Sequence, residues 1–412
     1  MTFKIPKEMP CNFCIAPFIS TRPDVRHQNS PCAYGALDIK QPQLNAKKKW
    51  HSEELNNLRQ QFINNEQPDA CNRCWFEEEA GKSSLRQRLL QYQPNAYQDL
   101  IITGRWYDGP LSITFKSSNV CNLACRSCGA HDSNQFDKEG ATYLKEYNNR
   151  GQYIANHKPE HVNMIDYITI CDNLRHLEFF GGEPLLNITQ FELLEHLVES
   201  GRSKDITLYY NTNATNTPTE RLQRAWKEFK SIEISCSIDG IKDKFEYLRY
   251  PGKWSTLEST LDNLQNMNLG IPTRIVGNMT TSITNVCDTT EIYEWQKERF
   301  GEYPYNSMVD MPSYMSIKNI PDEYKNQISS HLSMSEVRDY LNIDIQYPNA
   351  FREWIKWMKR MDKYREQNFI TTFPKLYNII KKDWDSVIDL ADPRPDFDIF
   401  GAMSAVKDNL PQ

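Results

Sequence analysis

The chain has no apolar run approaching the ~20 residues that a membrane-spanning helix needs. Its start, MTFKIPKEMPCNFC, lacks the apolar stretch of a secretory signal. A basic excess is missing as well, since 48 Lys and Arg face 54 Asp and Glu for a net charge of −6. That balance supplies no general attraction to nucleic acid or to an anionic membrane. These absences lead us to expect a cytoplasmic protein with neither a membrane nor a nucleic acid as partner.

Cysteine, by contrast, is plentiful. Eleven cysteines in a chain without an export signal argue against a disulfide framework and for metal sites. Cys11, Cys14, Cys32, Cys71 and Cys74 precede residue 80, and Cys121, Cys125 and Cys128 fall within eight residues. Cys171, Cys236 and Cys287 stand alone and read as packing residues.

The set Cys121-x3-Cys125-x2-Cys128 lies in NVCNLACRSCGA. Thiolates are soft ligands that select zinc or iron–sulfur clusters, and three of them leave one metal position open for chemistry. The same spacing would also form one apolar face of a helix. However, Asn119, Asn122, Arg126, Ser127 and Gly129 suit a loop better than a core stripe. About fifty residues on, RHLEFF (175–180) reads as a buried strand that runs into Gly181-Gly182-Glu183-Pro184. Two glycines admit close backbone approach, and Glu183 offers a carboxylate to a bound cation or ammonium.

Together the two motifs resemble radical S-adenosylmethionine (SAM) enzymes. The resemblance implies that Cys121, Cys125 and Cys128 bind three irons of a 4Fe-4S cluster. SAM then chelates the fourth iron, and the Gly181–Glu183 segment holds its methionine amino group. An electron cleaves the sulfonium, and the 5′-deoxyadenosyl radical takes a hydrogen from substrate. A small electron donor such as flavodoxin or ferredoxin is implied as a partner. Further matches are Thr212 and Asn213 in NTNA, Ser237 and Asp239 in SIDG, and Arg249, which the resemblance places at SAM. Two positions depart from the family pattern. Ala214 stands where a glycine is usual, and Ser127 where an aromatic or Met packs near the adenine.

At 412 residues the chain should hold two or more units. Strand-like runs at 111–117, 175–180, 206–211, 232–238, 273–279 and 305–311 alternate with helix-period stretches at 188–200, 219–230, 255–267 and 289–300. Such alternation implies βα units and a parallel sheet, with active groups at the carboxyl ends of the strands. The expected fold is therefore α/β: a partial (β/α)6 barrel over 105–325, with C-terminal helices at 326–390 and a tail at 391–412. A helix around 137–149 is expected to cover the cluster, and the Trp and Met stripe of 351–367 is expected to be core.

Residues 1–95 are expected to form a small cysteine-rich α+β module. Its Cys-x2-Pro-Phe, Arg-Pro-Asp, Pro-Cys and Cys-x2-Cys-Trp signature resembles twitch or SPASM-type auxiliary-cluster modules, here preceding the barrel. The resemblance implies an auxiliary Fe-S cluster, 4Fe-4S or 2Fe-2S, on Cys14, Cys32, Cys71 and Cys74, with Cys11 spare. The rival pairing of Cys11-x2-Cys14 with Cys71-x2-Cys74 would make a zinc knuckle, and spacing does not choose between them. The expected activity is radical SAM chemistry on a peptide or small metabolite, with no catalytic residue assigned and the reaction subclass open. The alternative is a non-catalytic Fe-S or zinc protein. Asn278, Asn285 and Asp310 are placed where substrate groups could bind.

Overall fold

A computed structural model describes residues 6–23, 29–33, 45–79, 83–92, 95–103, 109–116, 118–129, 132–135, 163–310, 312–344, 347 and 349–388. The expected helix at 137–149 and the tail at 391–412 lie outside these residues.

The centre of the molecule is an eight-stranded sheet in the order β2-β1-β3-β4-β5-β6-β7-β8. Six strands come from the alternating region: β3 (Ser112–Lys116), β4 (His176–Phe180), β5 (Thr207–Thr212), β6 (Ser231–Ser237), β7 (Thr273–Thr281) and β8 (Tyr305–Met308). They are parallel throughout, so each needs a crossover, and the intervening helices supply it. The result is an α/β partial barrel.

A seventh parallel strand comes from the cysteine-rich segment. β1 (Ser20–Pro23) pairs with β3, and the two-residue β2 (Asn29–Ser30) lies antiparallel beside it. The amino-terminal region is thus hydrogen-bonded into the sheet.

Period-two alternation decides which face is covered. Leu177 and Phe179, Leu208 and Tyr210, and Ile232 and Ile234 are buried with Leu193, Leu194, Leu197, Trp226 and Leu261 of the helices Gln190–Glu199, Glu220–Trp226 and Trp254–Asn266. A second core joins Met279 and Ile283 to Trp354, Met358 and Met361 of the helix Ala350–Arg365, so the expected stripe is packing. A third core gathers Phe13, Phe18, Trp50, Phe62 and Trp75 around the amino-terminal cysteines. Cys171, Cys236 and Cys287 are buried, as expected of packing residues.

Candidate active site

Both expected motifs lie directly past strand ends. β3 runs into the three-cysteine loop, and β4 into Gly181-Gly182-Glu183-Pro184. Cys121, Leu123 and Cys125 form one buried cluster, with Cys128 packed against it. The loop is tied down from several sides. Glu183 N donates to the Val120 carbonyl at 2.7 Å, Ala124 N to Tyr250 O at 2.6 Å, and Arg126 N to Leu248 O at 2.8 Å. Asn134 Oδ1 accepts from Cys121 N at 3.1 Å.

Gly182 is required by this contact, and both glycines by their backbone conformation. Gly181 and Gly182 have φ of 79° and 54°. A Cβ on Gly182 would sit 2.2 Å from the Val120 carbonyl oxygen. The close approach is to the cysteine loop itself, which only glycine allows.

Thiol electrostatics follow from enclosure and proximity. Burial, and then Cys125, push the Cys121 thiol up to about 12. Cys125 and Cys128 share a hydrogen bond that lowers the first and raises the second, and Arg249 also favours the Cys125 thiolate. The Leu123 amide donates to Cys121 Sγ at 3.4 Å, and Asn213 Nδ2 does so at 3.8 Å. Three buried or half-buried soft donors, with N–H groups turned to sulfur, fit a cysteine-held iron–sulfur cluster. Loading it would displace the thiol protons.

Glu183 is fully buried and pins two turns together. Its carboxylate accepts from Leu185 N at 3.0 Å, Thr212 Oγ1 at 2.7 Å and Asn213 N at 2.7 Å. Burial raises its pKa, against these three bonds. Asn213 Nδ2 also reaches Asn122 Oδ1 at 2.9 Å, linking the turn after β5 to the cysteine loop. Ala214, where the family favours glycine, has φ of 55°, the left-handed region that an L side chain resists.

The remaining expected SAM contacts gather past β6. Ser237 Oγ donates to Asn211 Oδ1 at 2.8 Å. Asp239 pairs with Arg249 at 2.6 Å and accepts from Thr280 N at 2.8 Å. The buried Arg249 Nε has no hydrogen-bond partner. Asn285 brackets the Asp239 and Thr280 carbonyls at 2.9 Å each. Asn278 Oδ1 is buried without a partner, so its acceptor is open.

In the amino-terminal region, Cys14, Cys32, Cys71 and Cys74 line one cavity with Phe62, Leu85, Arg86 and Leu89. Cys11 is exposed and donates to Asn65 Oδ1 at 3.4 Å. Burial, with Cys32 and Cys74 beside it, pushes the Cys71 thiol up to about 12. Cys14 rises for the same reasons. Ser84 and Gln87 form a reciprocal cap, each amide donating to the other's side chain at 3.2 Å, and this fixes the helix that carries Arg86. Among the described residues no three His, Cys, Asp or Glu side chains are arranged to hold a metal ion directly. What defines the two thiol sets is shared enclosure.

One group of residues escapes motif reading. On the sheet face away from the helices, Glu178, Tyr209, Glu233 and Arg274 stand in register across β4 to β7. Glu233 pairs with Arg274 at 2.7 Å and accepts from Tyr305 Oη at 3.2 Å. Glu178 accepts from the Thr114 hydroxyl, and burial raises its pKa. Their signal in sequence was the polar half of each strand's alternation.

The site is thus a loop of three clustered cysteines at the carboxyl edge of a parallel sheet, beside a Gly-Gly-Glu turn. Residues 115–295 match the radical SAM superfamily, a span that takes in both motifs and strands β4 to β7. An uncharacterized protein of Methanocaldococcus jannaschii is 31% identical over 179 residues, covering 43% of this chain and 54% of the relative. The match therefore spans about half of that protein's length. Native anSMEcpe with bound AdoMet is similar at 16% identity and a TM-score of 0.33, covering 63% of each chain. Streptococcus suis SuiB bound to S-adenosylmethionine is similar at 14% identity and a TM-score of 0.31, covering 74% of this chain and 62% of that one. Among the described residues no helix is long and apolar enough to cross a membrane.

Proposed function

We propose that this chain is a radical SAM enzyme carrying an auxiliary cluster. The observation that carries the reading is the burial of Cys121 and Cys125, with Cys128 packed against them, in a loop locked to the Gly181–Glu183 turn. Cys121, Cys125 and Cys128 would hold the 4Fe-4S cluster, which supplies the electron that cleaves SAM to a 5′-deoxyadenosyl radical. Gly181, Gly182, Glu183, Thr212, Asn213, Ser237, Asp239 and Arg249 would hold SAM.

This chain's own residues orient and enclose. Glu183 fixes the turns after β4 and β5 at one spacing. Arg249 pairs with Asp239 and would also face thiolate charge at Cys125 and Cys128. The polar row from Glu178 to Arg274 favours a hydrophilic substrate, a small metabolite or a polar peptide segment. Cys14, Cys32, Cys71 and Cys74 would hold the auxiliary cluster, as a twitch-like module does, and a flavodoxin or ferredoxin would deliver electrons. Relay of electrons or positioning of substrate is the role we assign to that cluster. We place the enzyme in the cytoplasm.

Anaerobic reconstitution followed by iron analysis tests the assignment. Two cubane clusters give about eight irons, and a 2Fe-2S auxiliary centre about six. Stoichiometric zinc with only four irons would remove the auxiliary cluster, and absence of iron would remove the reading.

A further inference from the structure

Arg126 stands between two of the clustered cysteines and is fully buried. Its Nη2 lies 2.6 Å from Asp362 Oδ1 and 2.9 Å from Gln367 Oε1. Its Nε donates to Tyr247 O at 3.1 Å, and its guanidinium stacks 3.7 Å from the Tyr247 ring centre. Asp362 also accepts from Tyr247 Oη at 2.6 Å and Phe369 N at 2.7 Å. From the same helix, the buried Arg365 donates through Nη2 to the Ala124 carbonyl at 2.7 Å, with its guanidinium over the Tyr250 ring. Ala124 and Arg126 flank Cys125. The helix Ala350–Arg365 therefore grips the chain on each side of that cysteine, and it does so with buried charge.

The geometry points to the helix Ala350–Arg365 as part of the cluster-binding apparatus, with Arg365 a positioning residue that also makes the bound cluster easier to reduce. This rests on the radical SAM reading. Reduction adds negative charge, and a fixed cation in a low-dielectric surrounding stabilises it. Cluster potential responds to net charge and to nearby hydrogen bonds. Arg249 also lies near Cys125, where it pairs with Asp239. Asp362 has the opposite sign, and its loss would leave Arg126 uncompensated.

Redox titration monitored by electron paramagnetic resonance on reconstituted protein decides the matter. Arg365→Gln should shift the reduction equilibrium about tenfold towards the oxidised state, or about 59 mV for one electron. Arg365→Lys should stay near wild type, and Asp362→Asn should move in the opposite direction. A loosened loop would move Arg365→Gln and Asp362→Asn the same way. Equal potentials in wild type and Arg365→Gln, or shifts of one sign in Arg365→Gln and Asp362→Asn, would overturn the proposal. Should Arg365→Gln load no iron, hydrogen exchange in the wild type decides instead. Amides of 354–365 should exchange more slowly with the cluster present than after its removal, and equal rates would overturn the proposal. A wild type that takes up no four-iron cluster defeats the radical SAM reading and this proposal together. A loaded wild type with unmoved variants defeats this proposal alone.

Discussion

Arg73 Nη2 lies 3.0 Å from Asp310 Oδ2. Arg73 stands between Cys71 and Cys74, and Asp310 follows the last strand of the sheet. The same amino-terminal region enters the sheet at its other side, through β1 beside β3. It is therefore joined to the first parallel strand and to the chain just past the last one. Asp310 also pairs with Lys318 at 2.7 Å and accepts from the Tyr340 hydroxyl. Its carboxylate, placed by sequence position among substrate-binding candidates, is committed to this clasp.

A double-mutant cycle on Arg73→Gln and Asp310→Asn should give a coupling of about 1 kcal/mol in urea unfolding, within the range for contacting charges that are partly exposed. A coupling indistinguishable from zero would show that the pair does not join the regions.

The clasp also sets an acid dependence. Burial would raise the Asp310 pKa, but Lys318 and Arg73 together hold it below the ordinary carboxylate value. A depressed carboxyl stabilises above its unfolded pKa of about 3.9, and that contribution fades as pH falls through the folded value. Denaturant midpoints should therefore fall more steeply below about pH 4 in wild type than in Asp310→Asn. Parallel curves would contradict the assignment.

Glu183→Gln should destabilise the fold by about 2 kcal/mol, because an amide N–H₂ would face donors that now meet a carboxylate. Equilibrium unfolding measures this directly. No loss of stability would mean that Glu183 does not hold the two turns together.

Ala214→Gly tests the strained turn. Removing a buried methyl costs roughly 0.8 kcal/mol, but relief of the left-handed backbone returns about 1 kcal/mol or more. The variant should stay within about 0.5 kcal/mol of wild type, whereas an unstrained buried Ala→Gly should cost more. A loss above about 1.5 kcal/mol would place the strain elsewhere.

Cys32→Ala should lose the auxiliary centre, and Cys11→Ala should leave iron content and spectrum unchanged. Cys32 lines the shared cavity and Cys11 is exposed beside Asn65. Loss of the centre in Cys11→Ala with retention in Cys32→Ala would restore the zinc-knuckle pairing.

Much of this was legible in the sequence because it is local. Each strand from β3 to β8 was a local strand-like run between helix-length segments, and each motif sat at a strand end. β1 did not, since its four residues end in proline and its identity depends on pairing with β3, which lies some ninety residues on. The row from Glu178 to Arg274 lies on the less buried half of four strands, and assembles only in register. The Arg126–Asp362 pair spans 236 positions, so no local pattern encodes it. Glu183 was legible as a site residue, but only one of its three donors is local, and the other two come from the end of β5 and the residue after it.

The central claim is that Cys121, Cys125 and Cys128 build a cluster that cleaves SAM. The direct measurement is 5′-deoxyadenosine formed from SAM by anaerobically reconstituted, dithionite-reduced protein, wild type against Cys125→Ala. The account predicts formation by wild type and none above background by Cys125→Ala, with the variant still folded by circular dichroism. Equal formation by the two proteins, or none by an iron-loaded wild type, would contradict it.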